Sequence, residues 1–535
     1  MNTVTEFYLS AADGVQLYTT LQLPEKEGKF PLIIIRTPYA QPETDFQALA
    51  EADTHGYAIL TQHCRGTGRS EGICRAYLDE RADGLLLLEW IRQQPFYNSE
   101  LFLLGSSYLA SVHFSYLNTD PPDIKAAFLA VQDTERYNIC FRKGFFKSGL
   151  HGSWVLRMHR KNQSVPRHIT EDLLKTHPLA GSTRKVFGEY VPYIEESFSH
   201  PDPEDPYWSS SDGGGDYRDA CNRCNIPILL VTSMYDIYTD GIFTMWQNLK
   251  PERKKQCALV VSPLDHAWNP LPENLAPEYL QFRDGLLREF CPDLEYQWFD
   301  HFRKGTDLPF IKKGETTYYR LWDNSWHSTP ELQNAPEEKK YFLTPSRGLS
   351  ETSAEGKLTY VYDPADPASF EGGVCNNFGG MKYQSPPNSR QDILSFLSAP
   401  LTEDMICEGR IEVTLTCSST AEDSCFYVRL SFEREGKTLS LRDDIDSLCR
   451  KEKNYIPGSK RILHYTFAPH AFKLFAGDRL RLDVSSSCVP YFYPHSNLKG
   501  LQTHQTATIP CQNTIYTKGS FVKIHKKTDF FQKTT

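Results

Sequence analysis

Five short apolar runs constrain this chain more than any other feature. They are Leu32-Ile33-Ile34-Ile35, Tyr57-Ala58-Ile59-Leu60, Leu101-Phe102-Leu103-Leu104, Ile228-Leu229-Leu230-Val231 and Ala258-Leu259-Val260-Val261. Each is a strand's length and apolar on both faces, as in a buried sheet. Helical spacing recurs over Leu85 to Ile91, with Trp90, and around Phe243 to Leu249. Strand and helix therefore alternate, as βαβ units do.

The alternation breaks from about 130 to 215. That stretch is first basic and aromatic, with Phe141, Arg142, Lys143, Phe145 and Phe146, then helical and charged. It ends in the proline-rich loop from His200 to Pro206. The α/β pattern then resumes. The expected class is α/β, with a core in two parts (1–130 and 216–335) around a helical cap insertion (131–215). Past about 336, period-two alternation takes over, as in Ile411 to Thr416 and Arg479 to Val484. Strands between Gly, Pro and Ser turns predict a C-terminal β-sandwich over 336–535. The polar, basic tail after Lys523 is expected to be loosely ordered.

A net charge of −9 leaves no basic excess for phosphates and disfavours nucleic acid as a partner. The first residues, MNTVTEFYLSAADGVQL, carry no basic-then-apolar leader, and no run reaches 18 apolar residues. A cytoplasmic chain without membrane attachment is expected, so the 14 cysteines are read as free thiols. Cys221 and Cys224 form one C-x-x-C with no second pair nearby. They read as a loop pair before a strand, and no metal is expected.

In a parallel sheet, chemistry gathers at the carboxyl ends of the strands. The third run leads into Gly105-Ser106-Ser107-Tyr108-Leu109-Ala110. A strand, G-x-S and a helix suit a nucleophile elbow at Ser107, although Leu109 stands where G-x-S-x-G has glycine. The alternative is a serine that caps a helix. A serine hydroxyl needs a base, and His266 follows the fifth run. The base needs an acid. Asp236 follows the fourth run, with Asp240 as its rival. Asp265 is less suited, because side chains of neighbouring residues diverge. The order Ser107, Asp236, His266 is that of the α/β-hydrolases. An oxyanion hole would draw on the Tyr108 amide and on the loop Arg36-Thr37-Pro38-Tyr39, where the Tyr39 phenol is a donor. The loop Arg65-Gly66-Thr67-Gly68-Arg69-Ser70-Glu71-Gly72 lacks the ending of a P-loop and reads as structural.

These motifs, taken in order, resemble the cocaine esterase and X-prolyl dipeptidyl aminopeptidase group of α/β-hydrolases. The matching stretches are R-T-P-Y at 36–39, the R-G-T-G-R-S-E-G loop, G-S-S-Y-L, Tyr235-Asp236-Ile237, and Pro263 with His266. Further on, Tyr362 to Pro367 with Gly372-Gly373, and Ala476 to Arg479 before Ser485 to Ser487, also match. The resemblance implies an α/β-hydrolase core, an inserted cap and a C-terminal jelly roll. It implies the triad Ser107, Asp236 and His266, with Tyr39 and the Tyr108 amide at the oxyanion. It also places Tyr238, two residues after the acid, in the acyl pocket. Three positions depart from the family: Ala110 for glycine, Met234 for tryptophan, and His63-Cys64 where an Asp is common.

The expected activity is hydrolysis of a small-molecule carboxylic ester through an acyl-enzyme, without metal or organic cofactor. Phe145, Phe146, Trp154 and Trp268 are further candidates to line the pocket. Amide or peptide hydrolysis, including X-prolyl dipeptidyl release, is the main alternative, and acyl transfer follows if water is excluded. A non-catalytic binding protein on the same fold is a third reading, and a homodimer is left open.

Overall fold

The computed structural model describes the chain except residues 1–3, 40–47, 162, 210–218, 267–292, 324, 375–379, 452 and 528–535. Trp268 lies outside the described residues. A ten-stranded sheet forms the first half. Its strands are β1 (Val4–Ser10), β2 (Gln16–Gln22), β3 (Phe30–Thr37), β4 (Ala58–His63), β5 (Tyr97–Ser106), β6 (Ile124–Ala130), β7 (Ile228–Tyr235), β8 (Ala258–Asp265), β9 (Thr316–Arg320) and β10 (Ser325–Thr329). They lie in the order β1-β2-β4-β3-β5-β6-β7-β8-β9-β10. From β4 to β9 every neighbouring pair is parallel.

The five apolar runs are all in this parallel centre. Ile33, Ile34, Leu103, Leu230 and Val260 are fully buried. Two helices pack beside the elbow strand: α1 (Glu80–Arg92) and α2 (Tyr108–Leu117). Further helices are α3 (Ser153–His159), α4 (Thr239–Asn248) and α5 (Leu294–Lys304).

Sequence reasoning missed the antiparallel hairpin β1–β2 at the edge. β1 is mostly exposed and both strands mix polar with apolar residues (VTEFYLS and QLYTTLQ), so the hairpin carries no continuous apolar run. It also missed β6, whose Lys125 and alanines dilute the apolar signal. After β6 the chain leaves the sheet for a largely helical insertion and returns in β7, which pairs directly with β6. Within that insertion, Phe141–Arg142 and Phe145–Phe146 form a small antiparallel hairpin rather than helix.

From Glu337 to Lys526 the chain builds a 12-stranded, mostly antiparallel sheet. Its last strand, Cys511–Lys526, is 16 residues long and pairs with four others. Lys523 to Lys526 therefore belong to the sheet and not to a loose tail. Among the described residues, no helix is long and apolar enough to cross a membrane.

The loop after β4 is shaped by its glycines. A Cβ on Gly68 would fall 2.2 Å from His63 Nδ1, the atom that accepts the Arg69 amide at 3.1 Å. Arg65 pairs with Asp13 and Asp83, and Arg69 with Glu6. The loop thus ties the edge hairpin to α1.

Among the histidines buried in the neutral form are His63, His113 and His151. Burial, with Arg69 nearby, pushes His63 down to about 4. Burial, with Arg36 nearby, pushes His113 down to about 3, and burial beside Lys147 does the same to His151. Below pH ~6.5 the unfolded chain gains protons that these groups refuse in the fold, so stability is lost as pH falls from there toward their folded values. Each contributes about 1.4 kcal/mol per pH unit. Chemical denaturation between pH 6.5 and 5 should show a steep loss of stability, and His151→Phe should remove about a third of the slope these three supply.

Candidate active site

Strands β5, β7 and β8 lie in the parallel part of the sheet and deliver their following residues to one edge. Ser107 follows β5 at φ 57° and ψ −126°, a conformation that L residues avoid and that costs roughly 1–3 kcal/mol. Its amide donates to the Ala130 carbonyl at 2.9 Å, which pins the turn to β6. The crowding is at Gly105, where a Cβ would meet the Leu109 carbonyl oxygen at 2.2 Å. Glycine is therefore needed at 105, while Leu109 and Ala110 fit at the start of α2, buried.

Ser107 Oγ lies 2.9 Å from His266 Nε2, and His266 Nδ1 lies 2.5 Å from Asp236 Oδ1. Asp236 is fully buried and His266 nearly so. The second Asp236 oxygen accepts the Tyr238 amide at 3.1 Å. The three side chains form one hydrogen-bonded series from a half-buried hydroxyl to a buried carboxylate. Such a series can deprotonate the hydroxyl while the carboxylate holds the imidazole in place.

The rival acid Asp240 is engaged elsewhere. It pairs with Arg142 of the insertion at 2.7 Å and with Arg442 of the second sheet at 3.0 Å, and it accepts the Ala468 amide. Burial opposes its ionisation, but the two guanidiniums outweigh it and hold its carboxyl below the usual range. Asp444 extends the knot to Arg142 and Lys143.

Tyr39 is half-buried past the end of β3. Its phenol oxygen accepts the Trp154 indole N–H at 3.3 Å, and the Arg157 guanidinium lies 5.7 Å from its ring. Tyr108 opens α2. Its side chain turns inward, where the hydroxyl donates to Glu80 Oε1 at 2.6 Å and accepts the Tyr77 amide at 3.0 Å. The Tyr238 ring stands edge-on to His266 with centroids 5.4 Å apart. Trp154 packs on Tyr108 and Tyr77. Phe145 packs on Phe492 and His495, and Phe146 on Phe198 and Phe141, so both rings are taken up in core packing. Cys221 and Cys224 are buried, with the Cys221 thiol 3.3 Å from Met245 Sδ.

Behind the acid loop is a cavity of about 340 Å³, lined among others by Asp133, Lys147, Ile237 and Gly241. Burial pushes Asp133 up to about 7 and Lys147 down to about 8. The Lys147 ammonium sits 5.6 Å from the Tyr238 ring. Sequence reasoning missed these residues and Glu80. Asp133 and Lys147 lie in irregular segments and Glu80 opens a helix, where no local motif marks them.

A family model described as X-Pro dipeptidyl-peptidase (S15 family) matches residues 13–268. The model of that family's C-terminal non-catalytic domain matches 309–522. The chain belongs to this group of α/β-hydrolases and is a serine hydrolase. Cocaine esterase of Rhodococcus sp. (strain MB1 Bresler) is 22% identical to it, with 91% of each chain covered. Two solved structures share the whole fold at 18% identity, each covering 98% of this chain and 96% of its own. They are an aminopeptidase from the marine sediment archaeon Thaumarchaeota archaeon, with a TM-score of 0.83, and an α-amino acid ester hydrolase, at 0.82.

The two candidate acids predict different phenotypes. Asp236→Asn should lower kcat by about 10⁴-fold and leave the fold intact, as loss of a triad carboxylate does. Asp240→Asn should keep kcat within a few-fold but cost roughly 1–3 kcal/mol of stability, because two guanidiniums lose their partner. Ester kinetics and melting curves on both variants check this.

Proposed function

We propose that this hydrolase cleaves small-molecule carboxylic esters through an acyl-enzyme on Ser107. The observation that carries the reading is the continuous series Ser107–His266–Asp236 at the mouth of a strained elbow. In this reading, His266 Nδ1–H donates to Asp236 and leaves Nε2 free to accept the Ser107 proton. The freed oxygen attacks the ester carbonyl. His266 then hands the proton to the departing alkoxide and draws a proton from the water that hydrolyses the acyl-enzyme.

The tetrahedral intermediate carries its charge on the former carbonyl oxygen. The Tyr108 amide, in the first turn of α2, has no partner within the helix and lies at the positive end of its dipole. The Tyr39 phenol is the second donor. Its oxygen accepts the Trp154 indole N–H. Tyr238, beside both acid and base, is expected to wall the acyl side.

Ester substrates are favoured by the name of the curated relative, an esterase matched over nearly the full length of both chains. An ester also releases an alkoxide, which departs more readily than the nitrogen anion of an amide, and needs no anchor for a substrate amino terminus.

A fluorophosphonate probe should label the wild-type chain at Ser107 and leave Ser107→Ala unlabelled. Persistent labelling of that variant would refute the nucleophile. Tyr39→Phe should lower kcat on a nitrophenyl ester by roughly 10²–10³-fold, the usual loss for one oxyanion donor. A panel of aryl esters, amino-acid esters and X-Pro amides should give its highest kcat/KM on an ester; a preference for the X-Pro amide would replace this reading with the peptidase one.

A further inference from the structure

The two donors proposed for the oxyanion belong to different strands. Tyr39 lies two residues past the end of β3, and the Tyr108 amide lies two past the end of β5. An oxyanion hole works only when its donors keep a fixed spacing, because an error near 1 Å forfeits much of their effect. Strands β3 and β5 are neighbours, so a backbone ladder would be the ordinary way to set that spacing. The ladder stops short. Its last pair is Ile34 with Leu103, several residues before either donor.

Beyond that point the donors share Trp154, which donates to Tyr39 and packs on Tyr108, and the strand ends themselves meet through a carboxylate. Glu80 is the first residue of α1 and is nearly fully buried. Its Oε1 accepts the Tyr108 hydroxyl at 2.6 Å. Its Oε2 lies 3.0 Å from the Arg36 guanidinium, which also donates to the Glu80 carbonyl at 2.7 Å. Arg36 is fully buried on β3, three residues before Tyr39, and a bond to Gln62 at 3.0 Å fixes its far side. The Tyr77 amide fixes the Tyr108 hydroxyl from the other direction.

Helix α1 comes close enough because it has glycine at position 84. A Cβ there would lie 2.6 Å from the Tyr116 ring and 3.3 Å from the Arg36 guanidinium. A buried arginine needs a counter-ion, and Glu80 serves that purpose in any account. A counter-ion alone, however, does not require the second arm to Tyr108.

We infer that Glu80 is a positioning residue which clamps the Arg36 end of β3 to Tyr108 of the elbow and so sets the spacing of the two oxyanion donors. The inference rests on the proposed oxyanion hole and adds the element that holds it in register. Glu80 touches no reacting atom. It acts through Tyr108 on one side and through Arg36 and its strand on the other.

Tyr108→Phe tests this, since it removes one uncharged arm and keeps the ring, the amide and the Glu80–Arg36 pair. Rates are counted per serine labelled by the fluorophosphonate, so unfolded material does not enter. On a nitrophenyl ester, kcat should fall on the order of tenfold with KM within about twofold. The affinity for a trifluoromethyl ketone, which forms the tetrahedral adduct, should fall by the same factor. In a Tyr39→Phe background the same substitution should lower kcat by less than about twofold, because one donor has no spacing to keep.

Glu80→Gln, which retains an acceptor for Tyr108 but weakens the Arg36 arm, should show the same split between kcat and KM. Unchanged kcat in Tyr108→Phe beside a crippled Tyr39→Phe would overturn the clamp alone. So would an equal loss from Tyr108→Phe in both backgrounds. Wild-type kcat in Tyr39→Phe would instead overturn the oxyanion reading, and the clamp with it.

Discussion

Parallel hydrogen bonding is the constraint on which the rest depends. When neighbouring strands run the same way, their carboxyl ends share one edge of the sheet, and whatever follows them meets there. The unbroken parallel stretch from β4 to β9 places the elbow after β5, the acid loop after β7 and the base after β8 on that edge. Residues 107, 236 and 266 are far apart in the chain, yet their side chains form one hydrogen-bonded series. The elbow adds the one costly element, a left-handed serine. That cost is carried by the amide bond to β6 and by a glycine where the turn approaches its own helix.

The parallel centre was legible because burial on both faces leaves continuous apolar runs, and such runs survive any reading frame of side-chain alternation. The edge was not. β1 is mostly exposed, β2 breaks its buried residues with Thr and Gln, and β6 spends three of its seven positions on alanine where a run would have Ile or Val. Position along the chain marked Ser107, Asp236 and His266, since each follows a strand. It did not separate Asp236 from Asp240, four residues later. That distinction comes from Arg142 and Arg442, which approach from two other parts of the molecule and engage Asp240 completely.

Aromatic residues were the least legible. The sequence offered Phe145, Phe146 and Trp154 alike as pocket candidates. The structure gives Phe145 and Phe146 to core packing and gives Trp154 a polar contact, its indole N–H on Tyr39, that no pattern of apolar residues announces. Glu80 was invisible for a related reason. An acidic residue opening a helix is common, and only the tertiary fold shows that its carboxylate faces inward onto Arg36 and Tyr108.

The knot of charge around Asp240 has one more consequence. Helix α4, which begins three residues after Asp236, is gripped on one side by the insertion and on the other by the second sheet, through Arg142, Arg442 and Asp444. The carbonyl of Met234, two residues before Asp236, is also held by Arg442. The β-rich half is therefore part of the scaffolding of the acid loop, although the reacting groups all sit on the first sheet. Modularity stops at this seam: a chain shortened to its α/β half would keep every residue of the triad and lose the frame that aims it.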